Sequence, residues 1–188
     1  MGKDVRKSTA EVLEYATPGR KKFTRVEVLL VIGVIALLVS ILLPPRSVPI
    51  GRSKCASNLR QIGEGIRVYA KQNGGRLPGR LDQLITDADV NAEVFVCPCN
   101  DDDKATGATM QEIVADFGKP GRCSYVYLGA GMTPGVKGDV VVVYENFDNH
   151  EKEGMNVLYG DGAVKWMGKV EAEKMIKELE AGRNPPGK

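Results

Sequence analysis

Residues 28–43 read VLLVIGVIALLVSILL, and this stretch decides the class of the protein. These residues carry no charge, and Ser40 is their only polar side chain. As a helix they would span roughly 24 Å, close to the ~30 Å hydrocarbon core of a bilayer. The run lacks the polar stripe of a helix in a soluble domain, and it ends in Pro44 and Pro45 rather than in a signal-peptide cleavage site. We therefore predict a transmembrane helix over residues 23–45.

The charges on either side of this run predict its orientation. Residues 1–22 contain six basic and three acidic residues, and the basic ones cluster next to the run at 20–22. The remainder of the chain is close to neutral. By the positive-inside rule, residues 1–22 form a cytoplasmic leader and the C-terminal part of the chain is exported from the inner membrane.

Composition excludes several functional classes. The 188 residues carry a net charge of +2 with both signs mixed, so the chain is not a polybasic nucleic-acid binder, and no nucleic-acid partner is expected. A single histidine and the lack of a recognisable nucleophile motif argue against an enzyme. The length fits one ordinary domain, which we place at residues 46–182, followed by a loose tail over residues 183–188.

Glu27 does not suit a plain membrane anchor. A carboxylate at the edge of an apolar run is costly and needs a partner. Glu27 shares a helix face with Phe23, four residues earlier. If the chain were cut between Lys22 and Phe23, the new amine would supply that partner.

The stretch KKFTRVEVLLVIGVIALLVSILLP resembles the type IV prepilin N-terminal signal. Phe23, Thr24, Glu27 and Pro44 match that signal position by position. Later segments resemble planctomycete-type pseudopilin-like proteins, in this order: CASNLRQIGEGIRVYAKQNGGRLP at 55–78, VCPC at 96–99, SYVYLG at 124–129 and NVLYGDGAVKW at 156–166. The resemblance spans residues 20–167.

The resemblance implies cleavage before Phe23 by a prepilin peptidase, methylation of the new N-terminus, and assembly with other pilin or pseudopilin subunits. The mature chain would be a structural or accessory subunit of a type II secretion or type IV pilus-like fibre. Two positions depart from the pattern: Lys22 stands where a small residue is usual, and Arg25 where an apolar one is. The alternative is therefore a permanently anchored exported binding or envelope protein with an unprocessed leader.

The exported part has the pattern of an α+β domain, in which an amphipathic helix continues from the membrane helix and packs on a small antiparallel sheet. Cys55, Leu59, Ile62, Ile66 and Tyr69 fall at helical spacing and predict one buried stripe over residues 52–72. Further helical segments are expected at 80–86, 111–117 and 170–181, and strands at 93–97, 123–128, 140–144, 155–159 and 163–167. Asp161 and Gly162 predict a hairpin turn between the last two strands.

The four cysteines are the main candidates for a cross-link or a metal site. A Cys97–Cys99 bond would close too tight a ring. Two pairings stay open, Cys55–Cys97 with Cys99–Cys123, or Cys55–Cys99 with Cys97–Cys123. Free thiols and a zinc site built from all four thiolates are the rivals.

No cofactor is expected, although calcium and zinc stay open. The acidic segment 100–103 lacks the EF-hand pattern and is predicted to be a solvated loop. Glu145, Asp148 and Glu151 are the other acidic candidates for calcium. His150 is predicted to lie on the surface, and Trp166 to serve in packing.

Overall fold

The computed structural model of the protein describes residues 24–42, 48–133 and 135–187. The chain divides into two compact units, Met1–Pro45 and Arg46–Lys188. Lys22, Phe23 and the rest of the predicted leader lie outside the described residues. So do residues 43–45 at the end of the predicted transmembrane segment.

The described part of the first unit is a helix, α1, at Arg25–Leu42 with Thr24 before it. Its side chains are exposed from residue 24 to residue 39, including Leu29 at 68% and Leu30 at 64%. Among the helices that the structure describes, none combines the length and the apolarity of a membrane span.

The second unit is a four-stranded antiparallel sheet with helices, which confirms the predicted α+β class. Its strands are ordered β1-β2-β3-β4. The elements along the chain are α2 Val48–Gln72, α3 Gln83–Asp87, a 3₁₀ helix Ala92–Phe95, α4 Met110–Phe117, β1 Tyr125–Tyr127, β2 Val141–Glu145, a 3₁₀ helix Phe147–His150, β3 Gly154–Tyr159, β4 Val164–Gly168 and α5 Lys169–Glu180.

The predicted stripe on α2 is confirmed as the buried face of that helix. Leu59 and Ile62 are fully buried and belong to one core cluster with Leu158 of β3. Gly63 permits this approach, because a Cβ there would lie 3.2 Å from Leu158 Cδ1. Gly63 therefore serves the packing of α2 on β3, although glycine lowers helix propensity.

The sheet is covered on its other face by α5. Met175 of α5 packs with Met155 and Val157, whereas the neighbouring Leu158 belongs to the α2 side. Successive side chains of a strand point to opposite faces, so β3 is buried on both sides. Any polar residue of β3 that faces α2 must therefore find its partners inside the protein.

Two segments differ from the sequence-based predictions. The expected strand over residues 93–97 is wrong, because Ala92–Phe95 form a 3₁₀ helix. The Asn91 side chain accepts a 2.9 Å hydrogen bond from the Glu93 N–H and starts this turn. The predicted loose tail is tied to β2 by Asn184, whose side-chain amide donates to Val141 O and accepts from Val141 N–H, both at 2.8 Å.

Candidate functional sites

The first candidate site is the start of α1. Thr24 donates to Glu27 Oε2 from its backbone N–H at 2.8 Å and from its hydroxyl at 3.1 Å. The Glu27 N–H donates back to Thr24 Oγ1 at 3.3 Å. This reciprocal pattern caps the helix, and it holds the Glu27 carboxylate against the first backbone N–H after position 23.

The second candidate site is a cluster of thiols between α2 and the loop that follows Ala92–Phe95. Cys55 and Cys97 are fully buried, and their sulfurs lie 2.6 Å apart. The Cys99 sulfur joins them, with all three sulfurs within 4.8 Å of one another. The structure joins no pair of the four cysteines by a disulfide, and the Cys55–Cys97 separation is longer than the ~2.05 Å of such a bond.

Local hydrogen bonds and close packing position these thiols. The Cys97 N–H donates to Ser124 Oγ at 2.9 Å, and Asn58 of α2 donates to Val96 O at 3.0 Å. Gly51 lies directly against the Cys99 sulfur, so that a Cβ at this position would clash with it. The first turns of α2 therefore approach the 97–99 loop at a distance that only glycine allows.

A buried imidazole–carboxylate pair borders the thiols. Glu145 at the end of β2 is fully buried, and its Oε2 lies 3.0 Å from His150 Nε2. Asn156 of β3 donates to the same carboxylate from its backbone N–H at 2.6 Å and from its amide at 3.0 Å. His150 Nε2 lies 4.0 Å from the Cys97 sulfur, which joins the pair to the thiols.

Trp166 closes the cluster on one side. Its ring meets the His150 imidazole edge-on, with centroids 5.3 Å apart. The guanidinium of Arg52, a residue of α2, stacks over the Trp166 ring, 4.2 Å from the ring centroid, and pairs with Glu153. Trp166 thus serves in packing, as predicted, and helps to exclude water from His150.

The cluster perturbs the ionisation of its members. The hydrogen bond from Cys55 lowers the pKa of Cys97 to about 6 against the opposing effect of burial, and His150 adds to the lowering. The same hydrogen bond, together with burial, raises the pKa of Cys55. Burial opposes protonation of His150, but Cys97 and Glu145 outweigh it and raise the pKa of the imidazole to about 9. Burial, followed by the charge of Cys97, raises the pKa of Cys99 to about 11. These contacts therefore favour the charged forms of Cys97 and His150, whereas burial opposes both.

The structure brings together three of the four predicted cysteines and separates the fourth. Cys123 is half-buried and its thiol donates to Tyr125 O at 3.4 Å. Burial raises the pKa of Cys123 to about 11. The groups of three metal-ligating side chains found within the described ranges are Cys55 with Cys97 and Cys99, and Cys55 with Glu145 and His150.

The prediction of a surface His150 is wrong, because only 3% of its surface is exposed. Of the three acidic calcium candidates, Glu145 belongs to the buried cluster, whereas Asp148 is exposed and pairs with Lys152 at 3.2 Å. Glu151 is exposed, in the left-handed conformation after the 3₁₀ helix. The three acidic residues are not gathered into one site.

Other predicted features have structural roles. In the 100–103 segment, Asn100 donates to Asp102 Oδ2 at 2.6 Å, and Ser124 donates to the same oxygen at 2.6 Å, which orders the loop. Asp161 accepts from the Ala163 N–H in the β3–β4 turn, where Gly162 has a φ of +83°, as the hairpin prediction required.

Asn156 was missed by the sequence reading as a site residue. Its only sequence signal is a polar residue inside an otherwise apolar strand, Gly154–Tyr159, which is buried at its first five positions. Such a residue needs internal hydrogen-bond partners, and Glu145 supplies them.

Comparison with known protein families, with curated proteins and with solved structures finds no match to this chain.

Proposed function

We propose that the chain is a pilin-like subunit of the cell envelope, a structural or accessory pseudopilin-like component of a type II secretion or type IV pilus-like fibre. The observation that carries the proposal is α1, a helix that is apolar on every side from residue 28 to residue 39 and is exposed there. Such a surface is stable only in lipid or against other apolar helices. The basic residues 1–22 that precede it support a cytoplasmic N-terminus and an exported C-terminal domain.

The proposed mechanism is assembly rather than catalysis. A prepilin peptidase removes residues 1–22 and the Phe23 amine is methylated. The apolar segment over residues 23–45 holds the subunit in the inner membrane until it joins neighbouring subunits. Glu27 then neutralises the Phe23 amine of a neighbour, and the α+β domain lies on the outside of the fibre.

The contacts of Glu27 support this role. Its carboxylate already accepts two hydrogen bonds from Thr24. Thr24 directly follows Phe23, the residue at which the processed chain would begin. A carboxylate held at the positive end of a helix is favoured both by the helix dipole and by an adjacent ammonium.

The second candidate is a permanently anchored exported binding protein that keeps its leader. Lys22 favours it from the sequence, and the buried thiol–imidazole cluster favours it from the structure, because a purely structural subunit does not need so many ligating groups in one place.

Mass spectrometry of the N-terminus tests the proposal. The full chain is expressed with and without a prepilin peptidase and extracted from membranes. We expect methylated Phe23 as the first residue only when the peptidase is present. Lys22→Gly is the matched variant, and it should increase the cleaved fraction. An intact leader in both proteins with the peptidase present would refute processing and favour the second candidate.

A further inference from the structure

We propose that the three clustered cysteines form a thiol–disulfide exchange site. Cys55 and Cys97 form a reversible disulfide bond, and the exposed Cys99 passes this bond between the buried pair and an external disulfide or thiol. This inference concerns the second unit alone and does not depend on leader processing or fibre assembly.

The buried pair is already close to bonding distance. Cys55 Sγ and Cys97 Sγ lie 2.6 Å apart, well inside ordinary nonbonded contact. A disulfide bond needs ~2.05 Å, so the two sulfurs must approach each other by only about half an ångström. Cys55 belongs to α2, and Cys97 to the loop that follows the 3₁₀ helix Ala92–Phe95. A bond between them would therefore fix α2 to that loop.

Cys99 gives the buried pair a route to the surface. The side chains of Cys55 and Cys97 are fully buried, so an external disulfide cannot reach either of them directly. Cys99 is exposed, and its sulfur lies within 4.8 Å of the other two. Cys123 is half-buried, and its thiol donates to Tyr125 O. Among the four cysteines, all of which the structure describes, only Cys99 combines exposure with a position beside the pair.

Oxidation takes three exchange steps. Cys99 attacks oxidised glutathione and forms a mixed disulfide, and the first glutathione sulfur leaves with the proton of the Cys99 thiol. Cys55 then attacks the Cys99 sulfur, and the second glutathione sulfur leaves with the proton of Cys55. Finally, Cys97 attacks the Cys55 sulfur, and Cys99 leaves and takes up the proton that Cys97 gives up. The buried pair has then lost two protons and two electrons, and oxidised glutathione has gained them.

The order of the steps follows from the positions of the sulfurs. The second step uses Cys55, because a Cys97–Cys99 bond would close too tight a ring. Reduction follows the same path in reverse, so Cys97 is the sulfur that leaves when Cys99 attacks Cys55. The hydrogen bond from Cys55 lowers the pKa of Cys97 to about 6 against the opposing effect of burial, and His150 adds to the lowering. A thiol with a lower pKa leaves faster, which makes the buried bond reversible.

His150 and Glu145 assist the release of Cys97. His150 Nε2 lies 3.0 Å from Glu145 Oε2 and 4.0 Å from Cys97 Sγ. Glu145 is the nearer partner of this nitrogen, so His150 acts on Cys97 through its charge. Asn156 holds the Glu145 carboxylate with two hydrogen bonds. Burial lowers the pKa of His150, but Cys97 and Glu145 outweigh it and raise that pKa to about 9.

Oxidation of the reduced full chain tests the proposal. The protein is purified in detergent with reductant and chelator, the reductant is removed anaerobically, and oxidised glutathione is added. Samples are quenched with acid at intervals and alkylated, and mass spectrometry follows the bonds that form. We expect a mass lower by two hydrogens and a peptide map that joins Cys55 to Cys97. Reduced glutathione should return the protein to the dithiol form.

Two cysteine variants form a matched pair. Cys99→Ser removes the exposed thiol and should slow formation of the buried bond by about tenfold or more. Cys123→Ser removes a thiol outside the cluster and should leave that rate unchanged. Circular dichroism verifies that each variant is folded.

Two further variants test the steps themselves. Cys97→Ser should stop the exchange at a Cys55–Cys99 bond, which the peptide map would detect. His150→Gln should shift the glutathione equilibrium several-fold toward the disulfide, because the released Cys97 sulfur loses a stabilising charge.

Three results would overturn the proposal. The first is a folded protein that keeps its dithiol form, or carries only glutathione adducts, in excess oxidised glutathione. The second is an equal rate of oxidation for Cys99→Ser and Cys123→Ser. The third is a final bond in the wild-type chain that joins any pair other than Cys55 and Cys97.

Discussion

Replacing Glu145 by glutamine should destabilise the second unit strongly, because this carboxylate is fully buried and holds three donors. Its oxygens accept from Asn156 N–H at 2.6 Å, from the Asn156 amide at 3.0 Å and from His150 Nε2 at 3.0 Å. Glutamine has nearly the size of glutamate, but its NH₂ group donates a hydrogen bond where a carboxylate oxygen accepted one. At least one of the buried donors around Glu145 would then face another donor instead of an acceptor. Removing one partner of a buried ion pair costs about 3–5 kcal/mol.

Glu153→Gln is the matched control. Glu153 also pairs with a basic side chain, Arg52, but 52% of the Glu153 side chain is exposed. Exposed ion pairs contribute about 0–1 kcal/mol, because water and salt screen them. The same chemical change should therefore have a several-fold smaller effect on the free energy of unfolding.

Urea unfolding followed by circular dichroism measures both effects, in reductant and chelator so that no metal contributes. The double variant Glu145→Gln/His150→Leu should lose less stability than the sum of its single variants, because the groups are coupled. Equal losses for Glu145→Gln and Glu153→Gln, or strict additivity in the double variant, would refute the buried pair as a coupled unit.

Three further predictions concern other parts of the chain. Hydrogen bonds from Lys119 and then from the Thr106 N–H hold the pKa of Asp116 below its ordinary value of 3.8. The ionised Asp116 carboxylate therefore stabilises the folded state above pH 3.8, and this contribution is lost as the pH falls through the lowered pKa. Asp116→Asn should therefore flatten the acid side of a plot of urea midpoint against pH, and an unchanged acid side would contradict this reasoning. Asn184→Ala should cost about 1–3 kcal/mol in the same unfolding assay, since it leaves the Val141 N–H and carbonyl without their side-chain partner; a loss within error of zero would mean that the tail contributes nothing. Glu27→Gln should leave the second unit as stable as the wild type but lower incorporation into co-expressed fibres at least tenfold, measured by subunit content in sheared fibre preparations, and normal incorporation would count against the assembly role.

Local sequence patterns predicted much of the second unit. The α2 stripe follows from apolar residues at spacings of three and four, and Leu59 and Ile62 are indeed fully buried. The β3–β4 hairpin follows from Asp161 and Gly162, because the turn needs a residue such as glycine at positive φ. By contrast, the 93–97 segment is apolar enough for a strand, but the Asn91 side chain starts a 3₁₀ helix there. A short apolar run does not distinguish these two outcomes.

By itself, the sequence determined the α+β class, the segments that form the four strands and the buried face of α2, because each depends on residues close together in the chain. Only the tertiary structure decided which thiols meet. Cys97 is 42 residues from Cys55 and 53 from His150, and no spacing rule connects positions so far apart. The packing of α2 on β3, and the turn that buries His150 beside Glu145, bring these groups within a few ångströms and leave Cys123 elsewhere. The contacts among these groups then shift their pKa values, and for Cys97 and His150 they outweigh the effect of burial.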